Sequence, residues 1–310
     1  MTRDTLFSVL PQDLCSQADR PSQDRYARPS QPLQTKMKGR PIPLQTQKIR
    51  PYVGHAAGSV IESRSFKTVR SVARNLCDLV RLLLSDDVEV VEGPIVDEQH
   101  ALWPEEAALI AQAGPKRRAE FACGRLFAHR AIRKFDPDDR PILVNADRAP
   151  IWPPGLIGSI SHSNCYCAAA VARQSQIAAI GIDVEEVGRF RPDLVPQVLS
   201  PREIEANLRE FPCRQKQLER TAVIFSAKES LYKCLHPLTQ LPLEFHDIEV
   251  VLHDRSASFE IKLQAQTGRF GSALVGRYAV KGDLVATAMT LSSAARLAES
   301  PATATNERLI

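Results

Sequence analysis

The sequence predicts an α+β fold built from two similar subdomains. Two long helical patterns, at 116–135 and 218–235, carry apolar residues at spacings of three and four. Each pattern is followed by several short stretches typical of strands, so the two halves of the chain share one plan. A cleft between the halves is the expected place for a ligand, because ligand sites often lie at such junctions.

The remaining elements follow from the same periodicities. In the first half, helical patterns cover 68–83 and 104–112, and strand patterns cover 88–91, 141–144, 157–160 and 166–172. In the second half, strand patterns cover 177–184, 248–252, 259–263, 276–280 and 284–291. We expect Pro237 and Pro242 to end the second long helix.

The first long helix has a basic face formed by Arg118, Arg125 and His129. This face is either a solvated basic stripe or a phosphate contact, since guanidinium groups match the geometry of phosphate. His129 taken alone is more typical of an ordinary surface or hydrogen-bonded histidine.

The composition divides the chain into four parts: a disordered basic extension at 1–66, an N-terminal α+β subdomain at 67–176, a C-terminal α+β subdomain at 177–292 and a disordered tail at 293–310. The extension is rich in Pro, Gln, Ser, Arg and Thr and has few apolar residues. One explanation is that it is a dispensable tail or results from a start codon assigned too early. The other is that it is an Arg-rich targeting or docking segment.

The charge of the chain is uneven. The 310 residues carry a formal net charge of +4, but residues 1–75 hold 13 Lys and Arg against 5 Asp and Glu. The rest holds 27 basic and 31 acidic residues, so the part predicted to fold is slightly acidic. The high pI is therefore not a sign of nucleic-acid binding.

Cysteine usage and hydropathy predict a cytoplasmic protein. The 7 cysteines are odd in number, and the Cys165-x-Cys167 pair has no second pair to complete a zinc site. Free thiols in a reducing compartment are expected. The sequence has no apolar run of membrane-spanning length and no secretory h-region.

The strongest candidates for a functional site lie at the end of the first strand of the second half. Asp183 and Glu185 project from one face of this strand, while Val184 faces the core. Two converging carboxylates make an oxygen-rich site suited to Mg²⁺. Glu229 and Lys233 on the second long helix add a carboxylate and an ammonium, which a pyrophosphate-bearing substrate requires.

Each of these residues also has an ordinary structural explanation. Glu229 and Lys233 could form a surface pair at i, i+4. Asp183 and Glu185 could be an exposed strand end, and His162, which lies between two serines, could satisfy a turn.

Five blocks of the chain resemble motifs of the Sfp/EntD-type 4′-phosphopantetheinyl transferases, in the order and spacing of that family. They are EFACGR (120–125), RAPIWP (148–153), GSISHS (158–163), GIDVE (181–185) and FSAKESLYK (225–233). The resemblance covers roughly residues 77–292, and the extension before them is a departure from the family. The fold it implies is two similar α+β subdomains in a pseudo-two-fold arrangement.

The resemblance also implies a reaction. Coenzyme A would donate its 4′-phosphopantetheine arm to a serine of an acyl- or peptidyl-carrier protein and leave adenosine 3′,5′-bisphosphate. Asp183, Glu185 and Glu229 would hold Mg²⁺, and Glu229 and Lys233 would be catalytic. Metal ligand and base are competing roles for Glu229, because a carboxylate bound to Mg²⁺ is a poor base.

The same resemblance assigns seven side chains to coenzyme A. Lys228 and Lys233 would clamp the pyrophosphate, and Ser161 and His162 would hold phosphate and orient the molecule. The side chains that would meet its 3′-phosphate or adenine end are Arg117, Arg125 and Arg148.

Two other functions stay open at this point. One is a different Mg²⁺-dependent phosphate-transfer or hydrolysis enzyme, and the other is a non-catalytic protein that binds CoA or a carrier. The resemblance to the long Sfp/EntD form of the family, as opposed to its short trimeric form, suggests a monomer. It also suggests carriers of siderophore synthesis, such as that of enterobactin, or of nonribosomal peptide or polyketide synthesis.

The segment 189–220 links the strand of Asp183 to the second long helix and holds seven basic residues. It is either a solvated linker or the docking surface for an acidic carrier protein. In the second case the apolar residues would make the contact and the basic ones would steer association. Those apolar residues include Leu194, Val195, Val198 and Leu199.

Overall fold

The computed structural model describes residues 78–138, 140–240, 242–263 and 274–293. The predictions of disorder at 1–66 and in the tail beyond residue 293 lie outside these residues, as does most of the helix predicted at 68–83. The described end of that helix, Arg81–Leu83, is a single 3₁₀ turn.

Eight strands and five α-helices form the described part of the chain. The strands are β1 (Val88–Pro94), β2 (Leu156–His162), β3 (Tyr166–Arg173), β4 (Ile177–Glu186), β5 (Ile248–His253), β6 (Ser258–Leu263), β7 (Leu274–Lys281) and β8 (Leu284–Ser292). The helices are α1 (Pro104–Leu109), α2 (Pro115–Ile132), α3 (Val195–Val198), α4 (Pro201–Glu210) and α5 (Arg214–Thr239). The strands form a three-stranded sheet in the order β1-β3-β2 and a five-stranded sheet in the order β4-β8-β7-β6-β5.

The two halves use the same connectivity. β1 pairs antiparallel with β3, the last strand of the first half, and α2 lies between them in the sequence. β4 pairs antiparallel with β8, the last strand of the second half, and α5 lies between them. The fold is therefore α+β with two similar subdomains, and the prediction from the sequence is confirmed.

Alternation of side chains along β3 explains how the halves pack together. One face of this strand packs on α2, and the other packs on β4 and β8 of the second sheet. Small side chains on both faces permit the close approach. The residues against α2 are Cys167, Ala169 and Val171, and those against the second sheet are Tyr166, Ala168, Ala170 and Ala172. Helix α5 covers the other face of the second sheet.

The strand predicted at 141–144 is wrong. This segment makes one isolated bridge, Val144 to Pro150, and its backbone serves α1 instead. The amide of Ile142 donates to Glu106 Oε1 at 2.8 Å. A buried carboxylate on a helix therefore takes the hydrogen bond that a neighbouring strand would have taken.

The basic face of α2 is not a solvated stripe, because two of its three side chains are buried. Arg125 and His129 are buried because Glu106 of α1 lies against them. His129 Nε2 is 2.8 Å from Glu106 Oε1, and Arg125 Nε is 3.9 Å from the same oxygen. This side of α2 is an internal polar contact between two helices, and only Arg118 of the three stays partly exposed.

Two predictions in the second half need correction. Pro237 does not end α5, which continues through it to Thr239 and closes at Gln240 in a left-handed conformation with φ 53°. The segment 189–220 is not a solvated linker, because it contains α3, α4 and the beginning of α5. The apolar residues expected to contact a carrier are instead core residues: Leu194, Val198 and Leu199 are buried, and Val195 packs against the core.

Candidate active site

The predicted carboxylates lie on β4, an edge strand of the second sheet. Asp183 and Glu185 are both buried, and Val184 between them packs in the core between the two sheets. Helix α5 lies so close to this strand that a Cβ at Gly181 would overlap the carbonyl oxygen of Ser230. The glycine of the GIDVE block thus permits the approach that brings side chains of α5 to the carboxylates.

Glu229 and Lys233 lie one turn apart on α5, on the side that meets these carboxylates. Lys233 Nζ donates to Asp183 Oδ1 at 2.6 Å and to Ser161 Oγ at 3.1 Å. Glu229 is buried, and its negative charge raises the pKa of Glu185. The surface pair and the exposed strand end considered for these residues are therefore wrong.

The electrostatics of this cluster favour a cation. The pKa of Glu185 is raised to about 8, first by burial and then by the charge of Asp183. Arg189 and Lys233 oppose this rise, and Glu229 adds to it. A divalent ion would relieve the repulsion among the carboxylates and favour their ionised forms.

The residues present fit a Mg²⁺ ion that shares its coordination with a substrate. Among the described residues, no three His, Cys, Asp or Glu side chains form a group that could hold a metal by themselves. However, Asp183 Oδ2 is buried and has no hydrogen-bond partner in the described part of the chain. Mg²⁺ is usually bound by one or two carboxylates together with substrate phosphates, which matches Asp183 and Glu185.

Arg189 is a site residue that the sequence analysis placed in the docking segment. The 3₁₀ turn Val187–Arg189 returns this side chain to the strand that precedes it, and its Nη1 donates to Glu185 Oε2 at 3.1 Å. The only signal in the sequence is the spacing of four residues. That spacing indicates contact on a helix, but not at the end of a strand.

His162 lies at the end of β2 on the other side of the cleft. Arg117 Nη1 donates to His162 Nε2 at 2.8 Å, so Nε2 is the acceptor and the ring proton is on Nδ1. Burial lowers the pKa of His162, and the positive charges of Arg117, Lys233 and Arg189 lower it further. The ring is therefore neutral at physiological pH and stands among cations, which is a suitable environment for an anionic ligand. The role of His162 is therefore not limited to hydrogen bonding within a turn.

A cavity of about 520 Å³ opens beside His162, between α2, β2 and the loop that precedes β2. Arg117, Arg125 and Arg148 line this cavity together with His162. Four of the seven side chains that the resemblance assigns to coenzyme A thus share one cavity. Glu120 is an acidic residue in its wall, and burial raises the pKa of this carboxyl group.

Arg125 and Arg148 differ in exposure, since Arg125 is buried and Arg148 is exposed. Arg125 is 5% exposed, its Nε donates to Ile142 O at 3.0 Å, and its guanidinium lies 4.5 Å from the centre of the Phe121 ring. Burial lowers the pKa of Arg125 to about 10, so the group stays charged at neutral pH. Arg148 has φ 64°, a strained left-handed conformation that is uncommon outside turns and functional sites.

Lys228 does not lie in the cleft, which corrects the role expected for it. Its side chain is fully buried on another side of α5, where Nζ donates to Glu203 Oε2 at 2.8 Å. It also donates to the carbonyl oxygens of Val198 and Phe245, both at 2.9 Å. All three N–H groups of the ammonium are used, so none is left for a pyrophosphate.

Ser159 and Ser161, two of the three serines of the GSISHS block, face β4 rather than the cavity. Ser161 Oγ accepts from Val184 N at 3.1 Å, and Ser159 Oγ accepts from Ile182 N at 3.2 Å. The family resemblance assigns Ser161 to phosphate, and Ser159 is not among the residues that it assigns to the site. The signal for Ser159 was its i, i+2 relation to Ser161, which places both on one face of a strand.

Family models match both halves of the chain. The model described as 4′-phosphopantetheinyl transferase N-terminal domain matches residues 105–172, and the one described as 4′-phosphopantetheinyl transferase superfamily matches residues 179–287. The 4′-phosphopantetheinyl transferase Svp of Streptomyces mobaraensis is 35% identical over 210 residues, covering 66% of this chain and 85% of Svp. The chain belongs to the 4′-phosphopantetheinyl transferase family. It is therefore an enzyme of the class that acts on carrier proteins.

Other relatives of this transferase have related names. The 4′-phosphopantetheinyl transferase PptT of Mycobacterium tuberculosis is 32% identical, covering 61% of this chain and 85% of PptT. Enterobactin synthase component D of Escherichia coli K12 is 31% identical, covering 54% of this chain and 81% of that protein. In the part of the transferase that the structure describes, no helix is both long and apolar enough to cross a bilayer.

Two solved structures show partial similarity to the transferase. The holo-[acyl-carrier-protein] synthase of Thermotoga maritima aligns with a TM-score of 0.31 and 22% identity, covering 37% of this chain and 63% of that one. A holo-(acyl-carrier-protein) synthase of Bacillus anthracis in complex with CoA (3′,5′-ADP) aligns with a TM-score of 0.30 and 21% identity. This alignment covers 38% of this chain and 98% of the synthase.

Proposed function

We propose that this transferase moves the 4′-phosphopantetheine group of coenzyme A to a serine of an acyl- or peptidyl-carrier protein and releases adenosine 3′,5′-bisphosphate. The observation that carries the proposal is that Asp183, Glu185, Glu229 and Lys233 meet in one cleft, beside a cavity lined by three arginines and His162. This arrangement supports a pyrophosphate in the cleft and the adenosine 3′-phosphate end in the cavity.

Asp183 and Glu185 are the proposed metal ligands. Bound Mg²⁺ would neutralise charge on the attacked phosphate and on the leaving group. Lys233 keeps its ammonium beside Asp183 at the floor of the cleft, where it can stabilise negative charge that develops on the phosphates.

Glu229 is the proposed general base. The serine oxygen of the carrier attacks the phosphorus that bears the pantetheine arm, and the P–O bond to adenosine 3′,5′-bisphosphate breaks. Glu229 takes the serine proton, directly or through water. We favour this role over metal binding because Mg²⁺ is usually bound by one or two carboxylates together with substrate phosphates, and Asp183 and Glu185 already supply two.

Arg117, Arg125, Arg148 and His162 are the proposed contacts for the nucleotide end of coenzyme A. The guanidinium groups supply forked donors that match phosphate oxygens. Since His162 is neutral and bound to Arg117, it orients that arginine and adds a polar contact without adding charge.

The proposed substrates are carriers of siderophore, nonribosomal peptide or polyketide synthesis, which the relation to an enterobactin synthase component supports. We further propose a cytoplasmic monomer whose subdomains are 67–176 and 177–292. The first sheet ends at Arg173 and the second begins at Ile177, which supports this boundary. Light scattering of the purified chain would test the monomer.

The decisive experiment is incubation of the protein with CoA, Mg²⁺ and a panel of apo-carrier proteins, followed by mass spectrometry of the carrier. We expect a mass gain of one phosphopantetheine and release of adenosine 3′,5′-bisphosphate. CoA cleavage without carrier modification would indicate a different phosphate-transfer or hydrolysis enzyme. Tight binding of CoA without either product would indicate a binding protein.

A further inference from the structure

The hydroxyl group of Ser161 uses all of its hydrogen-bonding capacity inside the protein. It donates to Asp183 Oδ1 at 3.0 Å, and it accepts from Val184 N at 3.1 Å and from Lys233 Nζ at 3.1 Å. A serine hydroxyl has one donor and two acceptor positions, so all three are occupied. The residue is 4% exposed, which leaves little room for a ligand to reach it.

We propose that Ser161 is a positioning residue that fixes Asp183 and Lys233 for the reaction, and that it is not a direct ligand of a CoA phosphate. This inference rests on the proposed function. A phosphate oxygen could only accept the Ser161 proton, and that proton already goes to Asp183. Asp183 Oδ2 is buried without a hydrogen-bond partner among the described residues, so loss of this bond would leave the carboxylate poorly satisfied.

The position of Ser161 follows from the way the two sheets meet. β2 and β4 are edge strands of separate sheets, and side chains of β2 contact the backbone of β4. The amides of Ile182 and Val184 on the open edge of β4 are taken by the hydroxyls of Ser159 and Ser161. The two serine hydroxyls therefore accept the hydrogen bonds that the carbonyl groups of a neighbouring strand would otherwise accept.

Only one of these serines is connected to the reactive groups. Ser161 joins the first half of the molecule to Asp183 and Lys233, which belong to the second half. Lys233 has a long flexible side chain, and two of its N–H groups are directed by Asp183 and Ser161. The side chain is 28% exposed, so the third N–H can reach a phosphate from the cleft.

Ser159 provides a matched control for the experiment. Ser159→Ala and Ser161→Ala each remove one hydroxyl from the same strand, and each leaves one amide of β4 without its acceptor. Both variants should therefore lose stability at the edge of β4, and Ser161→Ala also loses the bonds to Asp183 and Lys233. A role of Ser161 that is merely structural would affect both enzymes alike, whereas a positioning role affects only Ser161→Ala.

The test combines steady-state kinetics on the full chain with two calorimetric titrations. For Ser161→Ala we expect kcat to fall about tenfold or more, and Mg²⁺ to bind at least about threefold more weakly to the protein saturated with adenosine 3′,5′-bisphosphate. The KM for CoA, and the Kd of adenosine 3′,5′-bisphosphate measured without metal, should stay within about twofold. Ser159→Ala should keep kcat within about threefold.

Three outcomes would overturn the proposal. A Ser161→Ala enzyme with normal kcat but much weaker binding of adenosine 3′,5′-bisphosphate would make Ser161 a phosphate ligand. Equal losses of kcat in both variants would make it a structural residue, and unchanged kinetics would leave it no role. If Ser161→Ala does not fold, Ser161→Cys keeps the size but is a weaker acceptor and should give the same pattern. A wild-type enzyme that fails to modify any carrier would instead refute the proposed function.

Discussion

Lys228 Nζ lies 2.8 Å from Glu203 Oε2, and neither side chain is more than 2% exposed. Glu203 also accepts from the amides of Ser200 and Val250, at 2.7 and 2.8 Å. This buried pair thus ties α4 and β5 to α5. It fixes the segment that connects the strand of Asp183 and Glu185 to the helix of Glu229 and Lys233.

We expect Lys228→Met to be strongly destabilising, because it leaves a carboxylate buried without its partner. The loss in the free energy of unfolding should be about 3–5 kcal/mol, measured by urea denaturation. Lys216→Met on the same helix is the control, since Lys216 forms an exposed pair with Glu219 and should cost less than about 1 kcal/mol. Similar small losses in both variants would contradict the structural role of Lys228.

Glu185→Gln should abolish transfer and at the same time stabilise the metal-free protein. The pKa of Glu185 is raised from 4.5 to about 8, so the folded state loses stability as the pH rises through this range and the carboxyl group ionises. The gain in melting temperature over wild type should therefore grow between pH 5 and pH 8. Glu186→Gln, the adjacent residue, is the control and should stay active. Transfer by Glu185→Gln at a normal rate would refute its role as a metal ligand.

Glu106 should show the opposite dependence on pH. Burial would raise its pKa, but hydrogen bonds from His129 and the amide of Ile142 outweigh burial and lower the pKa below 4.5. The carboxylate therefore contributes stability above its unfolded-state pKa, and this contribution is lost as the pH falls through the folded-state value. Glu106→Gln should destabilise strongly at pH 7 and less at pH 4. A constant difference across this range would contradict the prediction.

The carrier-docking prediction now concerns charge alone, since the apolar residues named for it are buried or packed against the core. Arg202 and Arg209 on α4 have side chains that are 83% and 70% exposed. Reversing both to Glu should raise the KM for an acidic carrier and reduce its dependence on salt, because steering acts on association. The KM for CoA should not change. An equal rise for both substrates would remove α4 from the docking surface.

Deletion of residues 1–66 should leave folding and turnover unchanged, because this segment has too few apolar residues to contribute to a core. The melting temperature and kcat of the shortened chain should match those of the full chain. Insoluble or inactive shortened protein would favour the docking or targeting role instead.

The local sequence pattern was sufficient to predict most helices and strands, but not the buried polar contacts between them. The alternation along β4 correctly predicted that Asp183 and Glu185 share a face, because a strand has a fixed period of two. The periodicity of α2 could not predict the burial of Arg125 and His129. Their partner, Glu106, is on a different helix, and nothing in the local sequence indicates that the two helices meet there.

The sequence alone determined the family, the fold class and the placement of Asp183 and Glu185 on one face of a strand, because these depend on residue types at short, regular spacings. Only the tertiary structure decided the direction of individual polar groups. Lys228 and Glu229 are adjacent in the sequence, but neighbouring residues on a helix point about 100° apart. Lys228 therefore pairs with Glu203, whereas Glu229 faces Glu185. Ser161 faces Asp183 instead of the cavity because the edges of two sheets meet there, and that contact joins residues 22 positions apart in the chain.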